Sequence, residues 1–292
     1  MSNASVMEVA TPEVVTETET KAVKTKPAQA AKQDVKTEKK AGVLSLAYAV
    51  VSYFAFFGTF SGFALWAGGL LPFATPFESL GLSTGGAIAF NFALITIFAI
   101  QHTVMARKGF KKWWTRFVPE HIERSTFLLF AAVPLAAVVL FWQPLNAEVW
   151  SVTNTAGSAM LWATYAIGWL GCVLSSFFIG HFSLFGLTQV WNKMRGITPG
   201  KPVFRVPGPY KLVRHPMMLG VIMGLWALPS MTVGGLVLAA GFTLYIMIGT
   251  WFEERSLVEE LGPDYQVYQR RVPKLNPLFR PGKKSPKLMT LL

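Results

Sequence analysis

The sequence predicts an all-α fold: a polytopic integral membrane helical bundle of five to six membrane segments, closed at its C-terminal end by a cytoplasmic cap. Three observations predict it. Of 292 residues, 52% are hydrophobic and only 14% charged, with a mean hydropathy of +0.41, whereas soluble domains carry about 25% charged residues. Apolar runs near the ~20 residues needed to cross a bilayer recur along the chain. The basic residues are gathered in the segments that join alternate runs.

Residues 1–40 hold no aromatic residue, and their seven Lys and six acids nearly cancel. Such a segment cannot bury enough apolar area to fold, so it is expected to be a disordered tail. It lacks the apolar core and cleavage site of a signal peptide. Residues 41–292 then form the membrane domain. The apolar runs are Val43–Phe73, Thr84–Val104, Ser125–Trp142 with a kink expected at Pro134, and Ser158–Ile179. After Pro216 come Met217–Leu228, short for a span, and Leu236–Phe252. The shorter run either crosses tilted or re-enters as a hairpin with its neighbour. Gly85-Gly86 and Gly234-Gly235 lie at run starts, where a turn or close helix packing accounts for them.

Charge sets the orientation. Arg107, Lys108, Lys111, Lys112, Arg116 and Arg124 crowd one connection, and Lys193, Arg195, Lys201, Arg205, Lys211 and Arg214 another. The connections 71–84 and 143–157 hold no Lys or Arg. By the positive-inside rule both termini and both basic connections are cytoplasmic. Trp113, Trp114, Trp142, Trp150 and Trp162 fall near run ends, as interfacial anchors do. The net charge of +12 therefore reflects topology and not a nucleic-acid surface, which would interleave basic and aromatic residues on a polar face. A single cysteine, Cys172, excludes an internal disulfide and a multi-thiolate metal site; within an apolar run it reads as a small buried hydrophobe.

The polar residues that could carry chemistry sit at cytoplasmic run ends. Tyr210, Arg214, His215 and Pro216 lead into one apolar run, and Glu253 and Glu254 end the next. An ionisable group at the membrane edge is costly to keep unless it is partnered. The helix carrying Glu253 and Glu254 continues to Leu261, with Leu257 and Leu261 on a shared face, until Gly262-Pro263 stops it. A short helix from Asp264 aligns Tyr265, Tyr268 and Arg271 on one face and ends at Pro273. Each feature also has a plain reading: a solvated acidic helix end, an interfacial Pro-initiated helix with a snorkelling Arg, and anchoring tyrosines. Their joint placement at consecutive run ends favours a site.

His102 and His181 end the second and fourth runs on the same side. Imidazole titrates near neutral pH, so either could accept a proton or position a substrate; the alternative is a histidine stabilised by a helix C-terminal dipole. The balance tips to the dipole reading for His102 and to the functional one for His181. His121 lies in a basic connection and is expected to be exposed. No two histidines have close helical spacing, so no metal site is expected.

Arg214-His215-Pro216, followed by Glu253-Glu254 and Tyr265-x-x-Tyr268-x-x-x-Val272-Pro273, resembles the signature of the isoprenylcysteine carboxyl methyltransferases and their relatives over about residues 160–277. A closer resemblance, covering almost everything after residue 43, is to the nurim family. Gln101-His102-Thr103-Val104-Met105-Ala106-Arg107, Trp113-Trp114, Ile122-Glu123-Arg124-Ser125-Thr126 and His181-Phe182-x-Leu184-Phe185-Gly186-Leu187-x-Gln189-Val190 carry it. This resemblance implies an integral membrane enzyme of the bacterial inner membrane that uses S-adenosyl-L-methionine. Its substrate would be a small volatile thiol, methanethiol, methylated to dimethyl sulfide. It implies that residues 160–277 form the cofactor-binding half, with His215, Pro216, Glu254 and Tyr265 in the pocket and Arg214, Glu253, Tyr210 and Tyr268 beside them. His181 or His102 would then serve the thiol. Relatives often carry an aromatic residue two positions after the motif proline, where this chain has Met218. Other readings are methylation of another thiol or a lipid-borne acceptor, a non-catalytic nurim-like scaffold, and an NADPH-dependent membrane reductase of similar architecture.

Overall fold

The structure is a computed structural model that describes residues 42–71, 80–200 and 204–279. The expected tail, residues 1–40, lies outside them. Five helices are long and apolar enough to cross a membrane: α1 (Val43–Ala67), α2 (Thr84–Met105), α4 (Glu120–Phe141), α5 (Thr155–Phe178) and α9 (Val233–Leu261). Between α2 and α4 lies the short α3 (Lys108–Trp114), and after α5 come α6 (His181–Leu184) and α7 (Leu187–Arg195). A 3₁₀ turn, Gly208–Lys211, leads to α8 (Pro216–Trp226), and α10 (Pro263–Arg271) follows α9.

Three of the long helices begin at the same kind of signal. Ser83, Asn154 and Thr232 each accept a hydrogen bond from a backbone N–H three residues on, at Gly86, Gly157 and Gly235, which satisfies one orphan donor per helix start. The third long helix begins at Glu120, five residues before its apolar run, because Glu120 and Glu123 complement the positive dipole end of its first turn. Pro134 lies inside it.

Helix neighbours run α1–α4–α2–α9–α8–α5. The ring closes where the Tyr165 hydroxyl of α5 donates to the carbonyl of Ala64 on α1. Aromatic side chains fill it: the Phe63 ring lies 5.1 Å from Phe242 and 6.0 Å from Trp169, and Phe98 lies 5.5 Å from Phe242. Trp142 is part of this core, buried and 5.8 Å from Trp66. It is therefore a packing residue and not the interfacial anchor its place at a run end suggested. One polar pair is buried with it: Asn91 Nδ2 donates to the carbonyl of Gln143 (2.7 Å) and the Gln143 N–H donates to Asn91 Oδ1 (2.8 Å), tying α2 to the end of α4.

At that same end lies an element the all-α reading did not include. Two short antiparallel strands, β1 (Glu148–Ser151) and β2 (Ser230–Thr232), pair across a bulge. They join the α4–α5 turn to the α8–α9 turn, so both turns sit at one end of the bundle. At the opposite end, Arg214 and His215 meet Glu254. The α8 segment thus runs the full length beside α9. Its helix supplies about 16 Å of rise, and residues 227–230 carry the chain on to β2, toward the ~30 Å hydrocarbon thickness.

The close approach of α8 to α5 depends on glycine. A Cβ at Gly168 would stand 2.7 Å from the carbonyl oxygen of Gly220 and from the backbone nitrogen of Gly224. Gly220 and Gly224 are spaced as in the small-residue helix contacts of membrane proteins.

Candidate functional site

The cap end is built on one side chain. Arg214 donates through Nε to Glu254 Oε1 (2.6 Å), through Nη2 to Glu254 Oε2 (3.2 Å), and through Nη1 to the carbonyls of Gln269 (2.8 Å) and Val272 (2.6 Å). Its guanidinium therefore locks the start of α8 to α9 and to the end of α10. Backbone pairing reinforces the joint: the N–H groups of Arg214 and His215 donate to the carbonyls of Pro273 and Lys274. Glu254 is equally occupied, since His215 Nε2 (3.0 Å) and Gln269 Nε2 (3.2 Å) also reach it. Pro216 occupies the first turn of α8, as expected of a proline after a membrane-edge arginine.

Tyr265 and Tyr268 are buried, not exposed anchors. With Val206 and Val272 they form a small core, against which Phe204, Tyr210, Leu257 and Leu261 pack. The Tyr268 hydroxyl donates to the Tyr210 carbonyl (2.6 Å). Burial is the leading cause that pushes the hydroxyls of Tyr210, Tyr265 and Tyr268 above the ordinary tyrosine pKa, so all three are protonated at neutral pH. Gly262, at φ +62°, makes the reversal between α9 and α10 that folds this cap back.

Above the cap a cavity of about 650 Å³ extends into the bundle. Its lower part is lined by Tyr210, Arg214, His215, Met218, Glu253, Tyr265 and Tyr268, with Phe204, Arg205 and Leu261 at the margin. Its upper part is aromatic, with Phe56, Phe57, Phe60 and Phe63 of α1, Phe98 of α2 and Phe242 of α9. Between the two lie His102, Thr103 and Arg107 from the end of α2, Arg124 from α4, Cys172 and Ser176 from α5, and Tyr245 from α9.

The neighbouring glutamates divide. Glu254 is bound up in the joint, whereas Glu253 lines the cavity, half exposed, with its carboxylate 3.4 Å from His215 Nδ1. His215 bridges the two.

The two histidines also divide. His181 is buried, with Nδ1 2.6 Å from the Ser176 hydroxyl, Nε2 2.7 Å from the Tyr53 hydroxyl, and its ring stacked 4.1 Å from Phe177. Both ring nitrogens are satisfied, and the residue stands behind the cavity wall that Ser176 forms. Burial holds its pKa below the ordinary histidine value. His102 instead lines the cavity between Phe98 (5.4 Å) and Phe127 (4.9 Å). Its Nδ1 is buried without a hydrogen-bond partner. His121 faces Ser45 Oγ at 3.2 Å, outside this group.

Arg107, Arg124 and Tyr245 were not singled out from sequence. Both arginines stand in stretches that carry the family resemblance, and an arginine at the end of an apolar helix is itself a signal. Tyr245 is the lone tyrosine of the apolar run Leu236–Phe252. The aromatic wall gave no signal at all, since phenylalanines recur throughout α1.

The chain is similar to proteins of known name. It is 42% identical to the methanethiol S-methyltransferase of Mycobacterium tuberculosis over 80% of this chain and 96% of that protein. It is 46% identical to that of Pseudomonas deceptionensis over 68% and 76%. More distantly, it is 30% identical to the nurim of Xenopus laevis over 63% and 64%. No family model and no solved structure matches the chain.

Proposed function

The chain belongs to the methanethiol S-methyltransferase family, and from that premise we propose that it transfers a methyl group from S-adenosyl-L-methionine to the sulfur of methanethiol, giving dimethyl sulfide. The observation that carries this reading is the cavity, which joins a polar, tyrosine-lined cap to an aromatic interior. A donor that is polar, charged and water-soluble suits one part, and a small apolar thiol suits the other. The volume of about 650 Å³ lies within the ~300–1,000 Å³ range of ligand sites.

The residues present fit the donor. Glu253 is the cavity's available carboxylate and can accept from an amine or ribose hydroxyls. Arg214 has its charge and four donor contacts committed to the joint, so the carboxylate of the donor falls to Arg205, exposed at the margin. Phe204, Tyr265, Tyr268 and Leu261 offer an apolar and aromatic wall for adenine, with Met218 also lining the cavity. Arg214, Pro216 and Glu254 hold that wall in place, and His215 ties it to Glu253. When bound, the sulfonium supplies an electrophilic methyl group. What the chain does is position, desolvate and steer: in-line displacement gains most from alignment in a site without water. His181, held by Ser176 and Tyr53, positions the wall beside the thiol.

The two basic connections and the cap belong to the cytoplasmic side of a bacterial inner membrane, as the positive-inside rule requires, which is where a soluble donor is found. A volatile thiol can arrive through the lipid.

The test is direct. Membranes holding the protein, given S-adenosyl-L-methionine and methanethiol, are expected to release dimethyl sulfide into the headspace. S-adenosylhomocysteine, and not NADPH, is expected to raise the unfolding temperature. Folded protein stabilised by NADPH, or one that leaves methanethiol unchanged, would overturn the reading.

A further inference from the structure

We infer that His102 is the proton acceptor for the thiol and that Arg124 is the counter-cation that holds the resulting thiolate. This deepens the methyl-transfer reading and rests on it. Observations on α2, α4 and α6 converge. The His102 imidazole lines the cavity between its polar and aromatic parts, where a thiol must lie to meet a donor seated on the cap. Neither ring nitrogen has a hydrogen-bond partner among the described residues, and Nδ1 is enclosed, so Nε2 is the nitrogen with access to the cavity. A buried polar ring with no partner costs stability, which a ligand at this position recovers. His181, the other histidine at this depth, has both nitrogens taken by hydroxyls.

Arg124 supplies the charge. Its Nε donates to the Leu184 carbonyl (2.7 Å) and its guanidinium stands 5.2 Å from the centre of the Phe127 ring, the same ring that abuts His102. Among the described residues its Nη groups have no hydrogen-bond partner. A guanidinium fixed by one edge with the other left to a cavity is an anion subsite. Tyr245 from α9 lies 6.3 Å from the His102 ring and Arg107, at the end of the same helix as His102, lines the same cavity, while Glu123 and Glu253 are the acids whose charge acts on Arg124. Glu253 lies on the cap side and is assigned to the donor.

The step balances. The thiol S–H bond breaks, its proton moves to His102 Nε2, and its electron pair stays on sulfur as a thiolate paired with Arg124. That electron pair forms the new S–C bond with the donor's methyl group as the old S–C bond breaks, its pair returning to the donor sulfur. The proton on His102 then leaves to water at the cap end. Free thiols are largely protonated near neutral pH, so this transfer is needed for turnover.

The experiment compares wild type with His102→Gln on methanethiol and on the more acidic 2,2,2-trifluoroethanethiol. With methanethiol at pH 7 the variant is expected to lose on the order of 10²-fold in kcat while S-adenosylhomocysteine binds as in wild type. With the acidic thiol, a substantial fraction of which is already ionised at this pH, the loss is expected to shrink to a few-fold. Equal turnover by the variant, or an equal loss with both thiols, overturns the inference. Wild-type rate against pH tests it without any variant. A plateau well below the pKa of the free thiol supports it, and a tenfold rise per pH unit up to that pKa overturns it. A wild type that binds S-adenosylhomocysteine yet makes no product overturns the functional reading along with it, whereas active protein failing either comparison overturns this inference alone.

Discussion

Replacing Arg214 by alanine separates a joint from a ligand contact. The side chains of Arg214 and Glu254 are only 10% and 12% exposed, so solvent screens their pairing little. Arg214 makes four hydrogen bonds, two to a carboxylate and two to carbonyls. Each charge-assisted bond contributes about 1.5–3 kcal/mol, but the four are not additive, and Glu254 retains His215 and Gln269 when the arginine goes. Breaking a buried pair by removing one partner costs about 3–5 kcal/mol. At about 2–4 °C per kcal/mol for a chain of this size, the unfolding temperature of the ligand-free protein is expected to fall by roughly 6–20 °C. Thermal unfolding in detergent, followed by size exclusion or tryptophan fluorescence, reads the shift directly. The loss should appear without any ligand, and donor binding should fail because the cap has come apart. If Arg214→Ala unfolds within about 2 °C of wild type and loses only S-adenosylhomocysteine affinity, Arg214 contacts the ligand and the joint described here is wrong.

Three further predictions follow from the same geometry. Glu253→Gln should weaken S-adenosylhomocysteine binding about tenfold, equivalent to ~1.4 kcal/mol, at unchanged apo stability, while Glu254→Gln should lower apo stability; calorimetry and thermal unfolding of both variants check the split, and the reverse pattern would exchange their roles. Gly168→Ala should destabilise by about 1–3 kcal/mol through overpacking against α8. Gly171→Ala, where a Cβ would meet nothing within 4 Å, should be neutral or stabilise by up to ~1 kcal/mol; equal effects would refute the close α5–α8 contact. His181 is kept neutral by burial, its folded pKa lying below the unfolded value. Its contribution to stability is therefore complete above about pH 6.5 and is lost as pH falls through the folded pKa. A His181→Phe variant should show a flatter fall in unfolding temperature from pH 7 to pH 5, and a slope equal to wild type would contradict that.

The membrane segments were legible because length and hydropathy alone specify them. The cap helices were legible through Gly262-Pro263 and the tyrosine spacing, signals that act within a few residues. What stayed hidden depends on partners distant in sequence. The strand Glu148–Ser151 pairs with residues some eighty positions away and has too few residues to display a period of two. Gly220 and Gly224 mark a helix contact only once Gly168 is known to face them. Arg214 and Glu254 were correctly brought together by their positions at consecutive run ends. Nothing local, however, showed that Gln269 and Val272 would use up the remaining donors and leave Glu253 to the cavity. The histidines differ in partners that no local pattern displays: His181 has hydroxyls from α1 and α5, and His102 has none among the described residues.

The measurement that bears most directly on the central claim uses purified protein in detergent or vesicles with methanethiol and S-adenosyl-L-methionine carrying a CD₃ group. The account predicts dimethyl sulfide three mass units heavier in the headspace, with one S-adenosylhomocysteine formed per molecule released. Folded protein that binds S-adenosylhomocysteine but yields no labelled dimethyl sulfide would contradict it.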